Sequence, residues 1–356
     1  MRERLRVFIA ACFYYSGLVK FTHWFIRRPE RRLIILNYHR ATGENLRRQL
    51  LYLRRHYRIL HLETALEELY SPCNKGKELH DRRMPLVLTF DDGYRDNYTY
   101  GFALARELQI PMTIFLIPAY IESGQCFWWL EGERLVSHAQ VDKVTIEGRT
   151  YSLREPEERG LLVRRIDAGL RYATAVSERE TFLAAVRTAL AVPSPVAENV
   201  DLRPLTWAEI REMEASGWVS FGAHTMHHPI LAYLADPAEV QREVEECRTV
   251  LEQQLGHPVR TFAYPVGKLE HIGDEGLRAV KAAGYAWAVT SIEETNTAQT
   301  DPYLLRRLPG NVNQHWLLMA SDLVGLWNII SGLKKYFNRL SKRTPKSTLF
   351  NTFLTR

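Results

Sequence analysis

Three short segments hold the residues whose types and spacing could do chemistry. The first is Thr89-Phe90-Asp91-Asp92-Gly93-Tyr94. Adjacent carboxylates at a strand end point in different directions, so one can bind a cation while the other faces a water. The second is His224-Thr225-Met226-His227-His228-Pro229. His224 and His228 are four apart; in a helical turn their imidazoles lie on one face and can share a metal ion, with His227 facing outward. Two histidines plus one aspartate leave a tetrahedral ion one open position for water, the arrangement of catalytic rather than structural zinc. The third is Arg260-Thr261-Phe262-Ala263-Tyr264-Pro265-Val266-Gly267. Alone it reads as a strand end broken by Pro and Gly. A D-D-G turn and an i,i+4 histidine pair are each weak signals in isolation, and their common placement after strands is what links them.

The elements that must position these segments alternate. Leu33–Tyr38, Leu86–Phe90, Thr113–Ile117, Trp218–Gly222, Arg260–Tyr264 and Tyr285–Thr290 read as strands, with Tyr57–Leu60 a short one and Leu304–Leu308 a last one. Helical patterns fall between them at Asn45–His56, Glu63–Tyr70, Arg95–Leu108, Trp207–Ala215, Pro237–Leu255 and Asp274–Ala283. Strand–helix alternation predicts a parallel sheet with helices outside, and this many units predict closure into a barrel. All three segments then sit at its carboxyl end. Residues 120–205 break the alternation. They hold Phe127-Trp128-Trp129, a hairpin over Lys143–Tyr151 and two helical stretches, Glu157–Ala173 and Glu178–Ala191. An insertion of that length is structured, so we read it as a small α+β cap. Trp128 and Trp129 could stack on sugar rings there, with a buried aromatic cluster as the ordinary alternative.

Composition is that of a globular protein, 46% hydrophobic and 25% charged. Four scattered cysteines without a C-x-x-C pair argue against a disulfide scaffold or a cysteine-rich zinc site. The net charge of +6 is uneven: residues 1–32 carry +6, residues 326–356 carry +7, and the body between carries −7. An acidic body excludes a nucleic-acid partner, which calls for a basic folded face. Basic tails interleaved with aromatics fit an anionic membrane surface. Residues 7–19, VFIAACFYYSGLV, are uncharged between Arg2, Arg4, Arg6 and Lys20. A helix of that length spans only ~20 Å, short of a ~30 Å hydrocarbon core. We therefore expect residues 1–32 to form a basic amphipathic helix lying in the interface, with a membrane span through Ile26 as the alternative. No small-residue cleavage site follows it. Leu317, Leu318, Leu323, Leu326, Trp327 and Ile330, followed by Lys334 and Lys335, predict a second amphipathic helix and a basic tail over 313–356.

In this order the three segments resemble the polysaccharide deacetylase family, also called carbohydrate esterase family 4 or the NodB homology domain. The T-F-D-D-G motif is matched by residues 89–93, the H-[ST]-x-x-H motif by His224, Thr225 and His228, and an F-A-Y-P-x-G motif by residues 262–267. The likeness covers about 33–310, with the insertion loosely included. It implies an α/β fold, a distorted (β/α)7 barrel split into 33–119 and 206–312. It implies that Asp92, His224 and His228 bind a divalent metal, usually Zn2+ with Co2+, Ni2+ or Mn2+ as substitutes. Asp91 would be the general base on the attacking water, and the Val266 N–H would help hold the oxyanion. Tyr94 and Tyr264 flank the motifs and are counted with the substrate-facing residues. The sequence departs from the family twice. Ala263 stands where many members have an arginine that orients the base, and we expect Arg260 to replace it. The late L-x-H motif supplying the general acid is absent, His315 being a poor match. His39 ends the strand LIILNY, similar to the permuted arrangement of members acting on secreted poly-N-acetylglucosamine, and we assign it as the acid.

The resemblance implies hydrolysis of the acetamide of an N-acetylated sugar. With the tails, it suggests a membrane-associated polysaccharide or lipid-linked saccharide at a bacterial inner membrane, the cytoplasmic face favoured. A deformylase of a lipid-linked formamido sugar is one alternative. A non-catalytic saccharide-binding barrel is the other.

Overall fold

The apolar runs LIILNY and PLVLTF are too hydrophobic for a half-exposed strand and too short for a buried helix, so they are driven to the interior of a sheet covered on both faces. In the computed structural model, which describes residues 2–17, 32–71, 81, 83–192 and 200–326, they form β1 (Arg32–Tyr38) and β3 (Pro85–Phe90). The two pair in parallel from Ile34↔Leu86 to Tyr38↔Phe90. The sheet continues in parallel through β4 (Met112–Leu116), β7 (Val219–Ala223), β8 (Thr261–Ala263) and β9 (Trp287–Val289). Its return is made by residues 305–309. Leu305 bridges to Val289, and β11 (Leu308–Pro309) pairs in parallel with β1. The result is a curled parallel half-barrel wrapped by helices, consistent with a distorted (β/α)7 barrel. Two short strands decorate it: β2 (Arg58–Ile59) beside β3, and β10 (Asn296–Thr297) antiparallel to β1.

Helix boundaries follow local chemistry. Thr206 and Glu209 form a reciprocal capping box that starts the helix Trp207–Ala215. Asp236 caps the helix Pro237–Leu255, which has Pro at its first position and ends at Gly256 with φ 77°. The helix expected over Arg95–Leu108 opens instead with a π-helical turn, Asn97–Phe102, before Ala103–Leu108 continues as α-helix. The insertion folds as the hairpin β5 (Lys143–Ile146) and β6 (Arg149–Ser152) with helices Trp128–Ser137, Pro156–Arg171 and Val176–Ala189. Its apolar core contains Tyr120, Phe127, Leu162 and Ile166 and runs without a break into Tyr94 and Ile117 of the barrel.

The chain divides into two compact units, residues 30–313 and a second unit made of both termini. In that unit the helix Arg2–Tyr15 buries Ala10 against Leu317 and Leu318 of the helix Trp316–Leu323, and Tyr14 meets Trp316 edge to face. Among the described residues no helix is long and apolar enough to cross a membrane. Residues 18–31 and 327–356 lie outside the described residues, so the expectations placed on Lys20, Ile26, Trp327, Ile330, Lys334 and Lys335 do as well.

Candidate active site

The D-D-G segment leaves β3 through two left-handed residues, Asp92 at φ 72° and Gly93 at φ 69°. Glycine adopts that conformation freely; aspartate is among the few other residues that tolerate it. A Cβ on Gly93 would lie 2.9 Å from Leu116 Cδ2, so the turn also needs glycine for space. The reversal sends the two carboxylates in different directions, as the sequence predicts.

Asp92 points to the histidines. Its Oδ1 lies 3.5 Å from His224 Nε2 and 3.6 Å from His228 Nε2. The ligand atoms of the three buried residues are within 4.8 Å of one another. Those separations are long for hydrogen bonds but fit a metal site: ligands ~2.1 Å from one tetrahedral ion are ~3.4 Å apart. Tautomer control agrees. His224 Nδ1 lies 2.6 Å from the Ala263 carbonyl, an acceptor that keeps the proton there and leaves the Nε2 lone pair for an ion. Burial, aided by His224, pushes His228 down to about 3, so it is neutral at physiological pH. The group therefore fits a divalent cation on donor type, protonation and spacing.

The histidines are not on a helical turn, which corrects the geometry expected from their spacing. Residues 224–228 form a loop after β7 with Thr225 at φ 63° and His228 at φ 56°. The Thr225 hydroxyl lies 2.6 Å from the His224 carbonyl and accepts the His228 N–H at 2.9 Å. Glu243, on the helix Pro237–Leu255, accepts the His227 N–H at 2.8 Å and pairs with its Nδ1 at 2.7 Å. His227 thus faces away from the ligand group and anchors the loop. Of seven non-glycine residues with positive φ among those described, Asp92, Thr225, His228 and Val266 are at this site. Two of them are β-branched, for which such a conformation is strained, and strain held by surrounding bonds is a mark of functional sites.

Asp91 points the other way, to Arg307. The guanidinium donates to both carboxylate oxygens, at 2.7 and 2.8 Å, and through Nε to the Thr290 carbonyl at 2.8 Å. Both side chains are buried, at 1% and 4% exposure. Burial alone would raise Asp91; the charge of Arg307, with help from His224, outweighs it and holds the carboxyl well below its usual range. Sequence reasoning missed Arg307. The available signal was Arg307 in the inward register of the closing strand expected over Leu304–Leu308, beside Arg306, which faces out and pairs with Glu294.

Arg260 does not take that role. It precedes β8, so it lies at the amino end of the strand, away from the carboxyl-end site. There it pairs with Glu63 and Glu67 and covers the Trp287 ring at 4.6 Å. Tyr264 is likewise not brought to the pocket: its ring is buried edge-on to Phe262 and its hydroxyl has no hydrogen-bond partner among the described residues. Val266, at φ 60°, does line the pocket. Its carbonyl accepts from Ser291 Oγ at 2.6 Å, and its N–H is not used by the bonds that pin the turn. Tyr94 lines the pocket too, its hydroxyl accepting from Trp129 Nε1 at 2.7 Å.

His39 is exposed at the end of β1 and lines the same pocket as Asp91 and Asp92. Its loop is clamped by Asp96, whose Oδ2 accepts from Arg40 Nε, the N–H groups of Ala41 and Thr42, and the Thr42 hydroxyl, all at 2.8–3.0 Å. His315 instead caps the helix Trp316–Leu323. The pocket encloses about 480 Å³. On the cap side, Trp128 is buried with its Nε1 donating to the His228 carbonyl at 3.0 Å. Trp129 stacks on Phe127 and approaches the His228 ring at 4.4 Å.

These features define a class: an α/β half-barrel whose carboxyl-end pocket joins a buried Asp–His–His group that could hold a cation to an arginine-held carboxylate. The sequence model described as polysaccharide deacetylase matches residues 80–288, and the chain belongs to the polysaccharide deacetylase family. Solved structures share the fold at low identity. The deacetylase PplD of Streptococcus pyogenes, solved in complex with acetate, is 18% identical with TM-score 0.53, covering 82% of this chain and 97% of that one. IcaB from Ammonifex degensii is 17% identical with TM-score 0.51, covering 82% and 96%. The BpsB deacetylase domain of Bordetella bronchiseptica is 14% identical with TM-score 0.50, covering 79% and 97%. No curated protein sequence matches the chain.

Proposed function

We propose that this protein is a metal-dependent N-deacetylase that hydrolyses the acetamide of an N-acetylated sugar. The observation that carries the reading is the pairing, in one pocket, of the Asp92–His224–His228 group with Asp91 held ionised by Arg307. An amide is a poor electrophile and water a poor nucleophile, so the reaction needs a base, a charge stabiliser and an acid. Asp91 takes the proton from the attacking water, each of its oxygens keeping a lone pair beyond the bond from Arg307. The Val266 N–H donates to the oxyanion that develops on the acyl carbon. His39 gives a proton to the departing amine as the C–N bond breaks, leaving acetate and a free amino sugar. Asp92, His224 and His228 would hold a divalent ion, with zinc the best match to the donor set, and that ion would supply Lewis acidity towards the water and the acyl oxygen.

We further propose a substrate held at a membrane, a nascent polysaccharide or a lipid-linked saccharide. On the helix Arg2–Tyr15 the face opposite Ala10 carries Leu5, Phe8 and Tyr15, exposed at 60%, 65% and 76%, with Cys12 between them. The spacing makes one apolar stripe, and Arg2, Arg4 and Arg6 lie at its start, which suits an anionic interface. Flotation with anionic and neutral vesicles tests it: Leu5→Asp with Phe8→Asp should abolish binding to the anionic ones.

The deciding experiment is acyl release. Zinc-loaded protein is incubated with lipid-linked and polymeric N-acetylated glycans, and acetate and formate are read by NMR, with Asp91→Asn as control. Acetate lost in the variant supports the reading, and formate redirects it to a formamido sugar. No release and no bound ion would favour a non-catalytic binding barrel.

A further inference from the structure

We propose, building on the deacetylase reading, that the pocket selects a sugar bearing an oxyanion, a phosphate ester or a carboxylate, held between Arg40 and Arg171. The charged residues lining the pocket are Asp91, Asp92, Arg40, Arg171 and Arg307. Asp91 and Arg307 neutralise each other, and Asp92 faces the two histidines. Arg40 and Arg171 are therefore the charges available to a ligand, and both are positive.

Arg40 is preorganised. Its Nε donates to buried Asp96 at 2.8 Å and its guanidinium lies over the Tyr94 ring at 4.8 Å. Its terminal nitrogens have no hydrogen-bond partner among the described residues, and the side chain is 31% exposed. A guanidinium fixed along one edge presents the rest of its planar fork, the geometry that matches a carboxylate or phosphate. Asp96 offsets part of the charge but does not line the pocket, so the donors, not the acceptor, meet the ligand.

Arg171 approaches from the cap. It ends the helix Pro156–Arg171, where the helix dipole favours a cation, and it is exposed. Among the described residues it makes no ion pair. An arginine without a counter-charge on the rim of a concave site raises the local concentration of anions. A neutral glycan would be better served by the opposite chemistry, since sugar hydroxyls donate as well as accept. The pocket's two carboxylates already have other partners.

The test compares N-acetylglucosamine, N-acetylglucosamine 1-phosphate and N-acetylmuramic acid, which differ by no anion, a phosphate and a carboxylate. Acetate release by the zinc-loaded full chain should give at least a tenfold higher kcat/KM for one anionic sugar than for the neutral one. That ratio should shrink with added salt. Arg171→Glu should lower the ratio at least fivefold, and Arg171→Lys should restore most of it. The preferred anion distinguishes phosphate from carboxylate. Equal rates on all three sugars, or a ratio that Arg171→Glu leaves unmoved, would overturn the inference. Calorimetric binding of the same ligands to wild type and Arg171→Glu decides it even if no acetate appears. In that case the deacetylase reading fails while anion preference still stands or falls on affinity.

Discussion

The Asp91–Arg307 pair permits a strong prediction. Arg307→Met keeps roughly the side-chain volume but leaves Asp91 as an uncompensated charge in a buried site. Both partners are almost fully buried and joined by two bonds of 2.7 and 2.8 Å. Breaking such a pair from one side costs about 3–5 kcal/mol. For a body of this size that is roughly 5–8 °C in Tm. Asp91 can reduce the cost by binding a proton, because burial opposes its charged form once Arg307 is gone. The sign follows. In the wild type Asp91 is depressed, so its stabilising effect is complete above the ordinary carboxyl range and is lost only as pH falls towards the depressed value. In Arg307→Met the carboxyl is raised, so activity at neutral pH drops and recovers as pH increases. Asp91→Asn strands the guanidinium instead and should cost a similar amount. The double variant Asp91→Asn/Arg307→Met removes both charges, so its loss should be smaller than the sum of the single losses by at least ~2 kcal/mol. Chemical and thermal unfolding of the four proteins, with pH–rate profiles for those that retain activity, complete the cycle. Stability of Arg307→Met within ~1 kcal/mol of wild type, or strict additivity in the double variant, would refute the argument.

Three further outcomes follow from the same geometry. The Asp92 and Asp91 carboxylates raise His224 against the effect of its burial, and an ion competes with that proton for Nε2. Zinc affinity measured by calorimetry should therefore fall about tenfold per pH unit on acidification below the raised pKa, and a flat profile between pH 5 and 8 would count against the assigned ligands. Thr225→Val removes the hydroxyl that accepts the His228 N–H. It should cost about 1–3 kcal/mol and weaken zinc binding roughly 10–100-fold, with affinity within threefold of wild type as the contrary result. Asp96→Ala frees the loop that carries His39. Stability should fall by about 2–4 kcal/mol and kcat should drop while the protein still holds one zinc by elemental analysis.

Much of this site was legible because its parts are local in sequence. The D-D-G turn, the histidine loop and the Tyr264-Pro265-Val266-Gly267 turn each follow a strand whose apolar run announces it, and strands of a parallel sheet end on the same side. His224, His228 and one of the two adjacent aspartates could be grouped on that ground, and the family resemblance pointed to Asp92. Local periodicity likewise placed the helices Trp207–Ala215 and Pro237–Leu255 at their observed bounds. What the sequence could not convey were contacts made by closure. Arg307 meets Asp91 across 216 residues because β11 returns beside β1, which pairs with β3. Arg260 looked equivalent by motif, yet one strand length separates the two ends of a barrel, and it stands at the wrong end. The left-handed conformations of Thr225, His228 and Val266 were invisible for another reason. Their residue types oppose them, and bonds contributed by Thr225, Glu243, Trp128 and Ser291, among others, hold those turns in place. Composition and order thus determined the elements, the candidate ligand types and the side of the sheet where they lie. Tertiary packing decided which arginine holds the base, how the ligand loops are strained into position, and which cations are left facing the pocket.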